Sequence, residues 1–262
     1  MTEWRCIDSG PCSASFNMAL DEAISLSVRK GLSPPTLRLY GWEGPSVSIG
    51  LFQKISDIDL VYCIKKNLPV VRRPTGGRAI LHGDELTYSF SSANEGSFSG
   101  GLLDTYRQLG STLKLALAML GMDISLKNER IEGRNPTRSP LCFKSTSYGE
   151  LSCKGKKLVG SAQKRWKNGF LQQGSLPYVI DESTTRKIFN IPSSSDLKDA
   201  MIGLRDAVPD IDPERLKDAI RDSFERTFRI RLLYSGLSPE EYHLARELEV
   251  QKYGSQEYTL QR

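Results

Sequence analysis

Apolar residues recur at helical spacing early in the chain and then give way to the alternation typical of strands. One face of the first predicted helix carries apolar side chains four residues apart, namely Phe16, Leu20, Ile24 and Val28. Gly31 ends that helix, and the sequence TLRLY at 36–40 predicts the strand that follows. Further on, the pattern predicts a short helix over 57–66 and a longer one over 103–120, which Gly121 stops.

Period-two alternation predicts strands in the middle of the chain. The strand predicted over 85–90 is half-buried, because its apolar residues share one face: Leu86, Tyr88 and Phe90. Between 141 and 177, the turn dipeptides Lys154-Gly155 and Asn168-Gly169 separate segments of strand length. Asn-Gly is a strong hairpin signal because both residues accept φ > 0. We therefore predict a three-stranded meander in this region.

Helix-start signals dominate the chain after about residue 180, where strand patterns become rare. Asp212-Pro213 and Ser238-Pro239 each place an N-cap residue before a proline, and Ser238 with Glu241 forms a capping box. We therefore predict an α+β fold, with mixed β-sheets flanked by helices and a helical C-terminal part. Residues 1–180 are predicted to form the core and residues 181–262 to pack on it.

Composition narrows the class of protein. The chain has 262 residues and a formal net charge of +5, which permits acidic partners without requiring them. Its five cysteines include no CxxC pair, so we expect reduced thiols rather than a disulfide framework or a metal site. The start, MTEWRCIDSG, lacks a basic flank, and the longest apolar candidate, 113–120, contains Lys114. We therefore expect no signal peptide, no membrane span and a cytoplasmic enzyme.

Residues 72–90, RRPTGGRAILHGDELTYSF, combine arginines, a glycine pair and a histidine ahead of a strand. Gly76 and Gly77 permit φ > 0 and let backbone amides approach a ligand closely. Arg72, Arg73 and Arg78 bracket the turn with guanidinium groups, which suit carboxylate, phosphate or carbonyl oxygens. The segment predicts a binding loop, and a β-turn with solvated arginines is the alternative that fits the same residues.

A basic cluster marks the predicted meander: Lys154, Lys156, Lys157, Lys164, Arg165 and Lys167. Gly149, Gly155 and Lys157 fail the spacing of a phosphate-binding loop, which needs four residues between its glycines and a hydroxyl residue after its lysine. A nucleic-acid surface is a second alternative, but no RNA-binding or helix-turn-helix motif accompanies it, so we expect no nucleic-acid partner. The cluster either steers an acidic protein partner or is a solvated hairpin.

Four motifs, in order and spacing, carry a resemblance to a known family. They are SFNMALDEA (15–23), SIGLFQ (48–53), TGGRAILH (75–82) and KLVGSA (157–162). Over nearly its whole length the chain resembles the lipoate ligase and octanoyltransferase superfamily, whose fold is shared with biotin protein ligases. The resemblance implies an acyl pocket with these substrate-binding residues: Arg73, Thr75, Gly76, Gly77, Arg78, His82, Gly160, Ser161, Ala162, Gly174, Ser175 and Leu176.

Cys142 indicates which branch of the superfamily is the best match. ATP-using ligases carry an Asn-Asp pair near this position, whereas this chain has a cysteine followed fifteen positions later by Lys157. That arrangement is similar to the cysteine-dependent octanoyl transferases. The resemblance implies that Cys142 is the nucleophile and that Lys157 lowers its pKa, since a nearby ammonium favours the thiolate. The alternative for Cys142 is a small buried core residue.

The remaining histidines and cysteines receive simpler predictions. His82 either belongs to the pocket wall or pairs with the catalytic thiol, and His243 is expected to be exposed. The other cysteines are expected to be structural: Cys6, Cys12, Cys63 and Cys153. The polar segment 127–140, directly before Cys142, is a candidate lid.

The resemblance implies a two-step acyl transfer by a catalytic core, 1–180, that needs no cofactor and no metal. Octanoyl-acyl carrier protein is the implied donor. A lysine of a lipoyl domain, as in glycine cleavage H protein or 2-oxoacid dehydrogenase subunits, is the implied acceptor. Three alternatives stay open: an ATP-dependent lipoate ligase, an octanoyl amidotransferase between lipoyl-domain proteins, and a noncatalytic binding module.

Overall fold

The computed structural model describes residues 1–126, 150–194 and 196–261. The strands in chain order are β1 (Thr2–Cys12), β2 (Thr36–Trp42), β3 (Ser46–Ile49), β4 (Val70–Arg72), β5 (Ile80–His82), β6 (Glu85–Ser92), β7 (Ile124–Leu126), β8 (Leu151–Cys153), β9 (Lys156–Trp166), β10 (Gly169–Pro177) and β11 (Ile230–Tyr234). Eight of these described strands form a mixed sheet in the order β11-β1-β2-β6-β10-β9-β8-β7. Strand β1 runs parallel to both neighbours, and the other pairs are antiparallel. Strands β4, β3 and β5 form a smaller sheet.

Local capping signals explain where the helices begin. In chain order the helices are α1 (Ala14–Arg29), α2 (Leu60–Lys65), α3 (Leu102–Met119), α4 (Glu182–Ile188), α5 (Leu197–Ala200), α6 (Leu204–Ala207), α7 (Pro213–Phe228), α8 (Pro239–Leu248) and α9 (Gln256–Leu260). Asp212 and Ser238 cap α7 and α8, and Ser238 forms the predicted capping box with Glu241. The predicted α+β class, with mixed sheets and a helical C-terminal part, is confirmed.

Helices cover both faces of the large sheet. On one face, α3 and α7 pack over an aromatic cluster: Trp4, Phe90, Phe98, Phe170, Phe224 and Phe228. On the other face, α1 and α8 meet through Ile24 and Ala245. Every residue of β6 is buried, so the prediction of a half-buried strand is wrong. Its polar face lies under α1, where Ser89 Oγ donates a hydrogen bond to Asp21.

The predicted meander is present as β8, β9 and β10. Lys154 and Gly155 form the first turn with φ of 51° and 75°, the left-handed values that a tight hairpin requires. The second hairpin turns at Lys167 and Asn168, one residue earlier than predicted, because Gly169 already pairs with Trp166. Strand β11 was not predicted, and it extends the sheet from the C-terminal part by pairing with β1.

Candidate active site

A cavity that is partly open to solvent, with about 400 Å³ of empty space including that open part, lies where α1, the large sheet and the small sheet meet. Its lining comes from elements that are far apart in sequence: Met18 from α1, Tyr40 and Trp42 from β2, Ser48 from β3, Arg73 directly after β4, Ile80 and His82 from β5, Thr87 from β6, Gly160, Ser161 and Ala162 from β9, and Gln173, Gly174 and Ser175 from β10. Ligand sites are typically concave and largely preformed in this way. The cavity is therefore the candidate active site.

Strand register explains how the cavity floor forms on one face of the large sheet. Paired positions cross β2, β6, β10 and β9 in two rows, Tyr40-Thr87-Ser175-Gly160 and Arg38-Ser89-Gln173-Ala162. Residues two apart on a strand share a face, so both rows face the same side. Gly160 and Ala162 carry little or no side chain, which leaves open space above β9.

A buried carboxylate on α1, Asp21, organises the polar side chains of this face. Asp21 accepts hydrogen bonds from Arg38 Nη1 at 2.7 Å and from Tyr40 Oη at 2.8 Å. It also accepts from Ser89 Oγ at 2.6 Å and from Gln173 Nε2 at 2.7 Å. The side chains of Arg38 and Asp21 are 0% exposed. Burial, reinforced by the Asp21 carboxylate, raises the pKa of Tyr40 well above its ordinary value, which keeps the phenol protonated as a donor.

A second network holds His82 in the cavity wall. Its Nδ1 lies 2.9 Å from Glu85 Oε1, and its Nε2 lies 2.7 Å from Ser48 Oγ. Thr87 Oγ1 donates to the same Glu85 oxygen at 2.5 Å and accepts from Trp42 Nε1 at 2.8 Å. The imidazole stacks on Trp42, with ring centroids 3.8 Å apart. Because these polar groups bond to one another, the cavity can accept an apolar ligand without leaving them unpaired.

Arg72 and Arg73 are buried, so the alternative of a turn with solvated arginines does not hold for them. Arg73 Nη2 donates to Gly76 O and to Arg78 O, both at 2.7 Å. Arg72 Nη2 donates to Thr259 O at 2.8 Å, which attaches the strand before the loop to α9. These guanidinium groups therefore fix the shape of the glycine-pair loop through its backbone.

The cavity brings together most of the residues predicted to bind substrate: Arg73, His82, Gly160, Ser161, Ala162, Gly174 and Ser175. Thr75 does not line the cavity, but its Oγ1 donates to the lining residue Gln173 at Oε1, 2.7 Å away. Gly76, Gly77 and Arg78 belong to the adjoining loop, and Leu176 packs in the main hydrophobic core. Cys142 and the candidate lid over 127–140 lie outside the described residues, so their roles stay predictions.

Lys157 is buried near the start of β9, and Glu150 pairs with it. The distance from Lys157 Nζ to Glu150 Oε1 is 2.5 Å. The pairing of β8 with β9 changes register at this point, between Leu151 and Ser152. Such bulges re-aim side chains and are common beside active sites. Lys157 O also accepts from Ile202 N at 3.0 Å, which attaches this end of β9 to the segment before α6.

The predicted basic cluster does not form one surface. Lys154 and Lys167 are exposed at opposite ends of β9, and Lys157 is buried between them in sequence. Arg165 Nη1 donates to Thr105 Oγ1 at 2.9 Å, and Lys164 lies over the Trp166 ring. Arg165 and Lys164 therefore make local contacts, and the exposed Lys154 and Lys167 are separated by the length of β9.

Several residues that build the site were not predicted: Asp21, Arg38, Glu85, Glu150 and Gln173. A signal for Arg38 was available, because a single arginine between leucines in TLRLY requires a buried partner. Among the described residues, no group of histidine, cysteine, aspartate and glutamate side chains is arranged to hold a metal ion. Within the same part of the chain, no helix has the length and apolar character needed to cross a bilayer.

The fold and the cavity belong to a known class of enzymes. Residues 13–225 match the lipoyl protein ligase A/B catalytic domain, so the chain belongs to this family. The chain is 36% identical to octanoyltransferase LipM of Kyrpidia tusciae, with 98% of each chain covered. It is also 36% identical to octanoyltransferase LipM of Lysinibacillus sphaericus, with 100% of each covered. A solved lipoate-protein ligase A bound with ATP shares the fold, with a TM-score of 0.84 at 24% identity over 99% of each chain.

Proposed function

We propose that the chain is a cytoplasmic octanoyltransferase that works through a thioester on Cys142. Octanoyl-acyl carrier protein is the proposed donor, and a lysine of a lipoyl domain, in glycine cleavage H protein or a 2-oxoacid dehydrogenase subunit, is the proposed acceptor. Relatives that match the chain over its full length are named octanoyltransferases. The cavity is the observation that carries the proposal, because its polar lining groups bond to one another and its exposed lining is mainly apolar, as a hydrocarbon chain requires.

Lys157 does not line the cavity, but it lies on β9, which carries the lining residues Gly160 and Ala162, and we propose that it marks the reactive end. It precedes Gly160 on β9 by three residues, which is about 10 Å along a strand. An acyl chain lying over Gly160 and Ala162 then has its carbonyl carbon toward Lys157, where we place the Cys142 thiol. Each buried methylene contributes about 0.8 kcal/mol to binding, so the chain itself supplies most of the affinity for the acyl group.

The proposed chemistry runs in two steps. The Cys142 thiolate attacks the thioester carbonyl of the donor, and the carrier thiol leaves with a proton, which produces an octanoyl thioester on the protein. The deprotonated amine of the acceptor lysine then attacks that carbonyl, its nitrogen gives up one proton to solvent as the amide forms, and Cys142 leaves as a thiolate. The Lys157 ammonium lowers the pKa of Cys142, and Glu150 holds the ammonium in position. An amide is more stable than a thioester, so the second step is strongly downhill.

An ATP-dependent ligase and an amidotransferase are the two catalytic alternatives. Lipoate-protein ligase A has the same fold, so the fold alone does not separate a ligase from a transferase. A ligase activates a free acid as an adenylate and needs no enzyme thioester. An amidotransferase takes octanoyl from one lipoyl-domain protein to another. The three reactions therefore differ in the donor that they accept.

Mass spectrometry of the protein after incubation with octanoyl-acyl carrier protein, without ATP, tests the proposal. We expect an octanoyl adduct on the peptide that contains Cys142, and hydroxylamine should remove it. The adduct should be absent from Cys142→Ser and present in the control Cys12→Ser, whose thiol is half-buried near the end of β1. Labelling that requires ATP and free octanoate would contradict the proposal, and so would labelling that only an octanoylated lipoyl domain supports.

Thiol reactivity gives a second test. Burial raises the pKa of Cys6 and of Cys63 to about 11, so both hold very little thiolate at neutral pH. Iodoacetamide at neutral pH should therefore modify Cys142 well before either of them, as peptide mapping would show. Equal labelling of the three cysteines would contradict the proposed activation of Cys142.

A further inference from the structure

We propose that Met18 closes the far end of the cavity and sets the length of the acyl chain that the protein transfers. This inference rests on the proposed octanoyl transfer. Met18 lies on α1, lines the cavity and is only 2% exposed. It is the methionine that borders the open space above β9.

The two ends of the cavity can be distinguished by their positions along strand β9. From Lys157 to Ala162 the strand advances five residues, or about 17 Å. Ala162 pairs with Gln173 on β10, and Gln173 Nε2 lies 3.5 Å from Met18 Sδ. Met18 therefore lies at the Ala162 end, away from Lys157. An acyl chain that lies over Gly160 and Ala162, with its carbonyl carbon on the Lys157 side, points its terminal methyl group toward Met18.

The wall around Met18 is held by hydrogen bonds, whereas Met18 itself is held mainly by packing. The Gln173 amide bonds to Asp21 and to Thr75, and the Tyr40 hydroxyl bonds to Asp21. Moving any of these groups would break buried hydrogen bonds. A methionine side chain is unbranched, apolar and adaptable. The size of the side chain at position 18 can therefore change without breaking the hydrogen bonds among Gln173, Asp21, Thr75 and Tyr40.

Changes at Met18 should shift the preferred chain length in opposite directions. Met18→Ala removes three heavy atoms and makes room for roughly two further methylenes, each of which improves binding about fourfold when buried. The ratio of kcat/KM for decanoyl to that for octanoyl should then rise about fifteenfold. Met18→Phe adds volume, so its preference should move toward hexanoyl.

Met122→Ala is the matched control. Met122 is 5% exposed in the main hydrophobic core, so its truncation removes the same atoms from a buried site outside the cavity lining. The experiment measures kcat/KM with hexanoyl-, octanoyl-, decanoyl- and dodecanoyl-acyl carrier proteins for the parent and the three variants. The Met122→Ala variant should keep the parental ratios of kcat/KM between donors of different chain length, even if its overall stability falls.

The possible results separate this inference from the proposed function. A profile that shifts to longer chains in Met18→Ala and to shorter chains in Met18→Phe supports the inference. If both folded variants keep the parental kcat/KM ratios between chain lengths and still transfer octanoyl, the role of Met18 is overturned and the proposed function is not. Failure of the parent protein to transfer octanoyl to a lipoyl domain would overturn the proposed function, and the inference with it.

Discussion

Replacing Asp21 by alanine tests whether the cavity floor depends on the buried carboxylate that binds its polar side chains. Arg38 and Asp21 form an ion pair with fully buried side chains. In the variant, Arg38 keeps its bonds to Asn17 and Ser9, but no carboxylate neutralises its charge. Breaking a buried pair by removing one partner costs about 3–5 kcal/mol. For a chain of this length, that loss lowers Tm by roughly 6–20 °C.

The same substitution should also impair transfer, because Gln173 loses the acceptor that holds its amide beneath the cavity. A displacement of about 1 Å in a substrate-positioning group can reduce turnover about a hundredfold. We expect kcat/KM for octanoyl transfer by the folded variant to fall at least tenfold. Urea unfolding, with the midpoint and slope measured together, gives the stability change, and transfer is measured well below the unfolding midpoint.

Glu241→Ala is a matched control for the loss of a buried carboxylate. Glu241 binds Arg5 at 2.6 and 2.8 Å, and neither of these described residues lines the cavity. Its removal should destabilise the fold by a comparable amount while the folded fraction retains normal transfer. An Asp21→Ala variant that loses less than about 1 kcal/mol would refute the stability estimate. Equal transfer by the two variants would refute the link between the Asp21 network and the cavity.

Two further predictions concern pH and the glycine-pair loop. Burial alone would raise the pKa of Glu241, but the hydrogen bonds from Arg5, Ser238 and Ser33, together with the Arg5 charge, outweigh it and hold the pKa below 4.5. This stabilisation is therefore complete above pH 4.5 and disappears as pH falls through the folded-state pKa, so urea unfolding of Glu241→Gln should depend less on pH in that range. Gly50→Ala should cost roughly 1–3 kcal/mol and reduce transfer, because its Cβ would lie 2.0 Å from Gly77 O. The control Gly44→Ala meets nothing within 4 Å, and equal effects in the two would contradict this reasoning.

The features that were predicted correctly depend on signals contained in a few neighbouring residues. Asp212-Pro213 and Ser238-Pro239 begin helices because the N-cap side chain and the proline act within one turn. The Lys154-Gly155 turn is similarly local, since its φ values suit a tight hairpin. The substrate-binding residues were inferred from a resemblance and stay predictions, although most of them line one cavity.

Features that depend on contacts between distant segments were missed. Whether β6 is buried on one face or two depends on α1, which covers the polar residue Ser89. Asp21 resembles a solvent-exposed residue of an amphipathic helix until Arg38 and Gln173 are placed beside it. Local patterns of polar and apolar residues do not record such pairings. The same limit explains why β11 was not predicted.

The pairing of β1 with β11 determines the order in which the chain can fold during synthesis. Thr2 pairs with Ile230. After it has added Thr2, a ribosome needs on the order of 10–50 seconds to reach Ile230. Until then, the eleven-residue β1 is an exposed edge that can pair with other chains. Once β11 has paired with β1, the edge of the sheet is the five-residue β11 instead of β1. Short edge strands resist pairing with other chains. Premature termination before residue 230 therefore leaves a nascent chain prone to aggregation.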